Sequence, residues 1–437
     1  MKKRLRLTAI MALIALLLFV YINIFEVDKP LKQGEEKPVK LLALSPEEVT
    51  SISFYKEGLL SWQIEKRDDG SFLNYPYEAR ADEDEVEGFL KHVSSLHSED
   101  VVKLPENLTL YGLSDKSPRL VFKAGNKTES LDLGQKLEIS NSYYVKIGGD
   151  KNVYSVPSYV FGSFHKTAEN MRDRHLFQGN FANIEKIQYS NKELKLELQK
   201  TPNSFDWNIV APKCKADSIT VAGLINNVNT IKASSFIEME EGDTLSDLLL
   251  DPPLVKVSIF DASGKEYTLS LGQTVENETF SKTNLSDEVT MVRANEAEAL
   301  TLSLYDLRDK TLILPDAKKI TNITLTNASA TVVLQQKDGV WKKGTATLPE
   351  KSFSDFWEIM EETPIIEFFD KLPSGDFGLK GDKVMTANFE VSGKKYNFSL
   401  GAETEKGIYL LLDSKLYLIG KDVKIAFDIL MDELNQI

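Results

Sequence analysis

The four histidines are the residues whose type could bind a metal ion or transfer a proton, and their spacing favours neither role. They are His92, His97, His165 and His175. A zinc-binding helix carries two histidines four positions apart on one face, whereas His92 and His97 are five positions apart. The chain also contains no Gly-x-Ser-x-Gly nucleophile motif and no Gly-x-x-x-x-Gly-Lys phosphate loop. The sequence therefore predicts that the protein is not an enzyme, with no catalytic residue, metal site or cofactor.

One polar pair recurs along the chain. Arg172-Asp173 and Arg308-Asp309 lie 136 positions apart, at the ends of two similar segments. A catalytic dyad has little reason to recur at two domain ends, whereas the forked donors of arginine suit a salt bridge or a backbone clamp. We therefore interpret the pair as a clamp between successive domains, with a docking point for a partner protein as the alternative.

Acidic residues outnumber basic ones, 66 to 52, and the net charge is −14. The acidic runs Asp82–Glu85 and Glu238–Glu241 lack the alternating pattern of a calcium loop, so we interpret them as solvated charge. An acidic body argues against binding to nucleic acid or to anionic lipid, because both need clustered Lys and Arg. The single cysteine, Cys214, excludes an intramolecular disulfide and favours a bacterial envelope protein over a eukaryotic secreted one.

Two segments that match at a constant shift of 135 positions carry a helix pattern. They are 81–96 and 216–231, and their apolar residues fall on one face of a helix. Asp82 and Asp217 stand where an N-cap belongs, ready to accept hydrogen bonds from the first free N–H groups. A further shift of 135 predicts a third helix with Ser352 at the N-cap position.

Strand signals recur on either side of each helix. A hairpin pattern that follows each helix ends on Leu-Gly, at Gly134, Gly272 and Gly401. We expect each glycine to supply a backbone angle that other residues resist. An aromatic residue, Trp207 or Trp341, lies between the opening strands and the helix, and core packing explains it better than a ligand platform.

This repetition predicts an α+β fold class, with three tandem copies of a β-rich domain that each have one main packed helix. Each copy is predicted as three strands, the helix and four strands, followed by a short helix. The third copy lacks the Arg-Asp pair, and we interpret it as a truncated end copy. The predicted repeat domains are residues 45–178, 179–314 and 315–437.

The N-terminus predicts a membrane anchor. Residues 1–6 form a basic tail, and the apolar run Leu7–Phe25 is just long enough to cross a bilayer as a helix. The positive-inside rule keeps the tail in the cytoplasm and places the C-terminal body outside, after a linker at 26–44. A cleaved signal peptide is the main alternative, but no Ala-x-Ala site follows the run. We predict a single-pass protein of the cytoplasmic (inner) membrane with an extracytoplasmic body.

Taken together, these landmarks resemble a family of bacterial domains of unknown function, often encoded beside the gliding-motility-type ABC transporter and its large auxiliary membrane protein. The resemblance covers nearly everything from residue 45 onward. The second copy in this chain departs from the family pattern, with Leu249-Leu250-Asp251-Pro252 in place of Tyr-Gly-Leu. The third copy lacks the Arg-Asp pair. The matching features are Trp207, Pro212, Ala216 and Asp217, the motifs Tyr111-Gly112-Leu113 and Phe377-Gly378-Leu379, the Leu-Gly after each hairpin, and the two Arg-Asp pairs.

What the resemblance implies is an accessory envelope protein of an ABC-type export or surface machinery. We therefore expect a non-enzymatic accessory or scaffold protein, with a permease or auxiliary subunit as partner and no nucleic acid. The alternative is an envelope binding module for a cell-wall polymer or an exported substrate, in a groove between repeats. An unrecognised hydrolase is the third hypothesis, and aligned polar residues confined to one copy would favour it.

Overall fold

The computed structural model describes residues 38–437 except 138–140, 179–180, 338, 372, 382–383 and 392. The predicted anchor Leu7–Phe25, the tail 1–6 and most of the linker lie outside the described residues. Among the helices of the described part, none is long and apolar enough to cross a membrane.

Three antiparallel sheets of nine strands each follow one another along the chain, which confirms the tandem β-rich domains. We call the region around each sheet the first, second and third domain. The first domain belongs to a compact unit that ends at Arg174, and the second and third domains share a unit from His175 to Ile437.

The first domain has the strand order β4-β3-β2-β1-β6-β7-β8-β9-β5. Its helix α1 begins where the Asp82 side chain caps it, and the buried side chains of this helix lie on one face. Its strands are β1 Ser51–Lys56, β2 Leu59–Arg67, β3 Gly70–Tyr75, β4 Ala79–Arg80, β5 Val101–Val102, β6 Arg119–Ala124, β7 Lys127–Lys136, β8 Ser142–Ile147 and β9 Val153–Pro157, and its helices are α1 Glu83–Ser94, the 3₁₀ segments Leu108–Tyr111 and Ser158–His165, and α2 Ala168–Met171.

In the second domain the same order recurs as β13-β12-β11-β10-β15-β16-β17-β18-β14. Helix α3 buries Val221, Leu224 and Val228 against the sheet. The strands are β10 Ile184–Asn191, β11 Lys195–Lys200, β12 Trp207–Ile209, β13 Cys214–Lys215, β14 Ser235–Ile237, β15 Val255–Asp261, β16 Glu266–Val275, β17 Glu278–Thr283 and β18 Val289–Arg293, and the helices are α3 Ser218–Thr230, α4 Ala294–Glu298 and α5 Leu304–Leu307.

The third domain repeats the order once more, as β22-β21-β20-β19-β24-β25-β26-β27-β23. Its sheet is complete, so the expectation of a truncated copy was wrong. The strands are β19 Ile320–Thr326, β20 Thr331–Lys337, β21 Val340–Lys343, β22 Ala346–Thr347, β23 Ile365–Phe369, β24 Met385–Val391, β25 Lys394–Glu403, β26 Ile408–Leu412 and β27 Lys415–Ile419, and the helices are the 3₁₀ segment Ala317–Lys319, α6 Glu350–Glu362 and α7 Asp422–Gln436.

Helix α7 takes the place that the short helices and the Arg-Asp pair occupy in the other two domains. It buries an apolar face that includes Phe427, Leu430, Met431 and Leu434 in the core of the third domain. The Phe427 ring lies edge-on to Phe356 of α6, with ring centroids 6.0 Å apart. The third domain therefore closes its core with one continuous helix.

Two predicted details of the elements were wrong. Each domain has two more strands than predicted, because strands as short as β4 and β5 carry too few residues for an alternating pattern. Helix α6 begins at Glu350 with Pro349 at its N-cap position, so Ser352 lies inside the helix. Proline fixes a backbone angle that suits a helix start, and the start is set there without a capping side chain.

Candidate functional site

The Arg-Asp pairs hold the start of the main helix in their own domains. In the first domain, Asp82 N donates to Met171 O at 2.9 Å and Asp173 N donates to Arg80 O at 2.9 Å. In the second domain, Asp217 N donates to Leu307 O at 2.9 Å, and Asp309 N donates to Lys215 O at 3.1 Å. The backbone of each pair thus forms a clamp within its own domain, whereas the predicted contact between successive domains involves the Arg308 side chain.

The two N-cap aspartates lie beside these clamps. The Asp82 carboxylate accepts hydrogen bonds from Asp84 N and Glu85 N at 3.0 and 3.2 Å. The Asp217 carboxylate accepts from Ile219 N and Thr220 N, both at 3.0 Å. Each aspartate therefore satisfies two of the free N–H groups of its helix, while the backbone clamp holds the residue before it.

The Arg308 side chain has a second task, because it joins the second domain to the third. It is 5% exposed, and its Nη2 donates to both carboxylate oxygens of Asp370 at 2.7 and 2.8 Å. Its guanidinium carbon lies 4.9 Å from the centre of the Phe368 ring. Both partners belong to the third domain, because Phe368 lies in β23 and Asp370 directly follows this strand. Arg308 is therefore a buried link between two domains.

Further contacts surround this link. The Tyr305 hydroxyl donates to Ile365 O at 3.1 Å, and Ile365 N donates to Lys310 O at 2.8 Å. The Lys310 ammonium lies 3.7 Å from the Asp217 carboxylate. The end of the second domain is therefore tied to β23 of the third by backbone and side-chain bonds together.

Arg172, the counterpart of Arg308, is also buried. Its guanidinium carbon lies 5.1 Å from the centre of the Tyr77 ring. The Tyr77 hydroxyl donates to the Glu169 carboxylate, and burial together with this bond raises the pKa of Tyr77 to about 12. Arg172 thus stacks on an aromatic ring of its own domain.

The three Leu-Gly glycines contact a backbone carbonyl group. None of them has a positive φ, so the predicted reason for glycine was wrong. Each lies in a β-bulge of the hairpin strand, and an added Cβ would lie 2.1–2.3 Å from a carbonyl oxygen. That oxygen belongs to Tyr111 for Gly134, to Leu248 for Gly272 and to Phe377 for Gly401. The Leu-Gly and Tyr-Gly-Leu motifs are therefore two sides of one contact.

The recurrent tryptophans belong to the cores. Trp207 is 4% exposed and lies in the core of the second domain. Trp341 is half-buried, and its ring centroid is 4.5 Å from that of Phe353 on α6. Both side chains connect the opening strands to the helix of their domain.

A cavity of about 890 Å³ in the second domain is the site that the motifs did not indicate. It lies between the turn after β10, the bulge of β16 and the segment from α4 to α5. Its floor is apolar and includes the buried side chains of Val255, Leu271 and Ala297. Its polar lining includes Lys192, Glu193, Thr274, Thr279, Glu298, Ser303 and Asp306.

Tyr189 fixes one wall of this cavity. The buried Tyr189 hydroxyl accepts a hydrogen bond from Leu302 N at 2.7 Å, and Asn191 Nδ2 donates to Leu302 O at 3.0 Å. Burial raises the pKa of Tyr189, so the hydroxyl stays neutral and holds the 300–303 segment in place. The wall is therefore held in place by side chains of β10.

Asp306 sets the charge at the rim of the cavity. Its carboxylate accepts from both the backbone N–H and the hydroxyl of Ser303, at 2.7 and 2.6 Å. The hydroxyl bond lowers the pKa of Asp306, so this carboxylate is ionised at neutral pH. Glu193 and Glu298 are exposed along the same rim, and Lys192 is the cationic residue among the lining.

A second concavity, of about 1020 Å³, lies at the opposite end of β10. Two turns, 201–205 and 261–264, form its walls. The Lys186 ammonium lies 4.0 Å from the centre of the Phe260 ring, and the Phe205 ring is 89% exposed. Its lining also includes residues at the ends of β10, β11 and β15.

A profile of the family described as Domain of unknown function (DUF4340) matches residues 72–206 and 207–383, more than two thirds of the chain. The matches begin at two aromatic residues, Phe72 and Trp207, which are 135 positions apart, the shift that relates successive copies. The first match covers one full period, from the third strand of one sheet to the second strand of the next. No curated protein and no solved structure matches the chain.

Proposed function

The chain belongs to the DUF4340 family, and from this premise we propose that it is a non-enzymatic accessory or scaffold protein of an envelope transport complex. In this proposal, Leu7–Phe25 anchors the chain in the cytoplasmic membrane and the three domains lie outside. A permease or auxiliary subunit is the proposed partner. The ABC-type part of the proposal rests on the family resemblance of the sequence.

The link at Arg308 is the observation that carries the scaffold role. Arg308 places a charge that is 5% exposed between two domains and pairs it with Asp370. A buried charge is costly unless it is paired, so this contact favours one fixed arrangement of the second and third domains. A fixed pair of domains suits a protein that presents surfaces to partners.

The repeated residues support the same proposal. Asp217 caps a helix, Gly272 admits a carbonyl group, Trp207 fills a core and Arg308 joins two domains. Each of these roles serves the fold itself. These structural roles account for the recurrent residues, so their recurrence is not a reason to assign them to catalysis.

Co-purification from membranes tests the proposal. The tagged full chain, expressed at its native level, is solubilised in mild detergent and isolated with its partners. We expect ATPase or permease subunits to accompany it, and we expect fewer when residues 1–25 are replaced by the anchor of an unrelated single-pass protein. A chain that is isolated alone would contradict the proposal.

The topology needs a test of its own. Alkaline phosphatase fused after Phe25 is expected to be active, because the enzyme folds only outside the cytoplasm. The matched control is a fusion after Arg6, before the apolar run, which is expected to be inactive. An inactive enzyme after Phe25 would contradict the extracytoplasmic placement.

A second candidate function is an envelope binding module for a cell-wall polymer or an exported substrate. The cavity of about 890 Å³ in the second domain favours it, because its volume is in the range of ligand sites, about 300–1,000 Å³. Purified protein that sediments with isolated cell wall, without any membrane partner, would favour this candidate over the scaffold.

A further inference from the structure

The cavity in the second domain lies at a point where the second and third copies differ. In the third domain, Lys424 of α7 forms an ion pair with Glu403 of β25, with Nζ 2.5 Å from Oε1. The register of the sheets shows which residues of the second domain correspond. Glu403 pairs with Ile408 just after the bulge, as Thr274 pairs with Thr279, so Thr274 corresponds to Glu403.

The counterpart of Lys424 follows from the last strand. Ile419 of β27 lies opposite Ile408, and Val292 of β18 lies opposite Thr279. Lys424 is five positions after Ile419, and Ala297 is five positions after Val292. The second domain therefore has two small residues, Thr274 and Ala297, where the third domain has a lysine paired with a glutamate.

Both small residues line the cavity. The ion pair of the third domain bridges the corresponding helix and strand with a long side chain. Ala297 has no side chain beyond Cβ, and the Thr274 hydroxyl is 2.8 Å from that of Thr279 on the next strand. The third domain thus bridges this helix and strand with an ion pair, whereas Ala297 and Thr274 cannot form one in the second domain.

The chemistry of the cavity lining indicates which kind of ligand would bind there. Its floor offers apolar side chains such as Leu271 and Val255, and its rim offers the carboxylates of Glu193, Glu298 and Asp306 against the single ammonium group of Lys192. An apolar floor with an acidic rim complements an apolar side chain next to a cation. Lys424 and Glu403 show the same pairing inside the third domain.

We infer that this cavity binds an extended segment of a partner protein in which an apolar side chain lies next to a lysine or arginine. The inference rests on the proposed accessory role, because it names the chemistry by which such a partner would be recognised. The apolar side chain packs on the floor, and the cation pairs with Glu298 or Asp306 at the rim. Tyr189 preorganises the wall on which the segment lies.

A defined peptide tests the inference with the full chain in zwitterionic detergent. The probe is a fluorescein-labelled peptide, Gly-Ser-Lys-Leu-Lys-Ser-Gly, and its binding is followed by fluorescence anisotropy, with empty micelles as the blank. We expect saturable binding that weakens as salt is added, because exposed charges are screened. The same peptide with glutamate in place of both lysines is expected to bind at least about tenfold more weakly.

Variants of the cavity separate it from the general negative charge of the body. Ala297→Lys combined with Thr274→Glu copies the closing pair of the third domain, and we expect it to weaken binding at least about tenfold. Glu298→Gln preserves the shape and is expected to weaken binding about threefold. Glu240→Gln makes the same change of charge away from the cavity and is expected to leave binding unchanged. Thermal unfolding checks that each variant is folded.

Equal binding by the wild type and the closed double variant would overturn the inference, and so would equal binding of the lysine and glutamate peptides or no binding at all. If the double variant does not fold, the comparison of Glu298→Gln with Glu240→Gln decides. Co-purification separates this inference from the scaffold proposal. Partners retained by wild type and closed variant alike would overturn the cavity inference alone, whereas peptide binding by a chain isolated without partners would overturn the scaffold alone.

Discussion

A Cβ atom on Gly272 would lie 2.1 Å from the carbonyl oxygen of Leu248. The same carbonyl group accepts a hydrogen bond from Gln273 N at 2.9 Å, so the loop is held against the strand beside the glycine. Gly401 and Phe377 repeat this arrangement in the third domain, where Ala402 N donates to Phe377 O. The glycine is required because of a close approach of two backbones, and its own backbone angle is ordinary.

Gly272→Ala is expected to lower the free energy of unfolding by about 1–3 kcal/mol, because the loop that carries Leu248 must move away from the bulge. Urea unfolding followed by tryptophan fluorescence measures the change. Gly223→Ala is the matched control. An added Cβ at Gly223 of α3 meets no atom within 4 Å, so this change is expected to stabilise by about 0.5–1 kcal/mol. Equal effects of the two substitutions would contradict the argument.

Leu249 keeps a conformation for which the other two copies use glycine. Its φ is 54°, while the corresponding Gly112 and Gly378 both have a φ of 69°. Leu249→Gly is therefore expected to raise the free energy of unfolding by roughly 0.5–1 kcal/mol, since glycine adopts a left-handed backbone without steric cost. The side chain is 40% exposed, so little packing is lost. Urea unfolding is again the measurement.

The reverse substitution provides the control for this prediction. A Cβ on Gly378 would lie 2.5 Å from Ala402 N, so Gly378→Ala is expected to destabilise the third domain. We expect Leu249→Gly to raise the free energy of unfolding and Gly378→Ala to lower it. A loss of stability in Leu249→Gly would show that the leucine contributes more by packing than its backbone angle costs.

Much of the fold could be predicted from the sequence, because each copy has the same pattern of strands and one main helix. The capping aspartates Asp82 and Asp217 locate two helices, and the Leu-Gly motif locates the hairpins. The cavity could not be predicted in this way, because Thr274 and Ala297 are distant in sequence and meet only when the sheet and α4 pack together. These two positions are recognised when the copies are aligned by strand register rather than by sequence motif.

The link between the second and third domains is another feature that the sequence alone could not predict. Arg308 was recognised as a structural residue, but its partner Asp370 is 62 positions away and belongs to no repeated motif. The first two domains carry the Arg-Asp pair, so the sequence predicted one role for both copies. Local clamps can be inferred from repetition, whereas the partner of Arg308 in the next domain needs the structure.

Arg308→Ala is expected to lower the stability of the second and third domains by about 2 kcal/mol and to uncouple their unfolding. The loss is smaller than for a fully buried pair because the Asp370 side chain is 57% exposed. Trp207 reports on the second domain, and Trp341 and Trp357 report on the third, so separate transitions are expected in fluorescence-detected urea unfolding. Arg293→Ala, at an exposed position, is the control. An unchanged, single transition in Arg308→Ala would contradict the role of the link.

The raised pKa of Tyr77 predicts that the folded chain loses stability at high pH. Burial first, and then the Glu169 carboxylate, raise the pKa of Tyr77 from 10.0 to about 12 in the folded chain. The unfolded chain therefore releases this proton at a lower pH than the folded chain does. The contribution of the neutral hydroxyl is complete below pH 10 and is lost as the pH rises towards 12. Tyr77→Phe removes the titrating group, so the decline of stability over this window is expected to become shallower.

Urea unfolding of both chains at pH 9.5 and 11.5 measures this effect, and the difference between the chains at each pH cancels the other groups that titrate there. Tyr75→Phe, at an exposed position two residues away, is the matched control and is expected to leave the decline as in the wild type. Glu169→Gln removes the negative charge that favours the neutral hydroxyl, so it is expected to lower the pKa of Tyr77 and to narrow the pH range over which stability is lost. The same decline in Tyr77→Phe as in the wild type would show that other groups cause the alkaline loss.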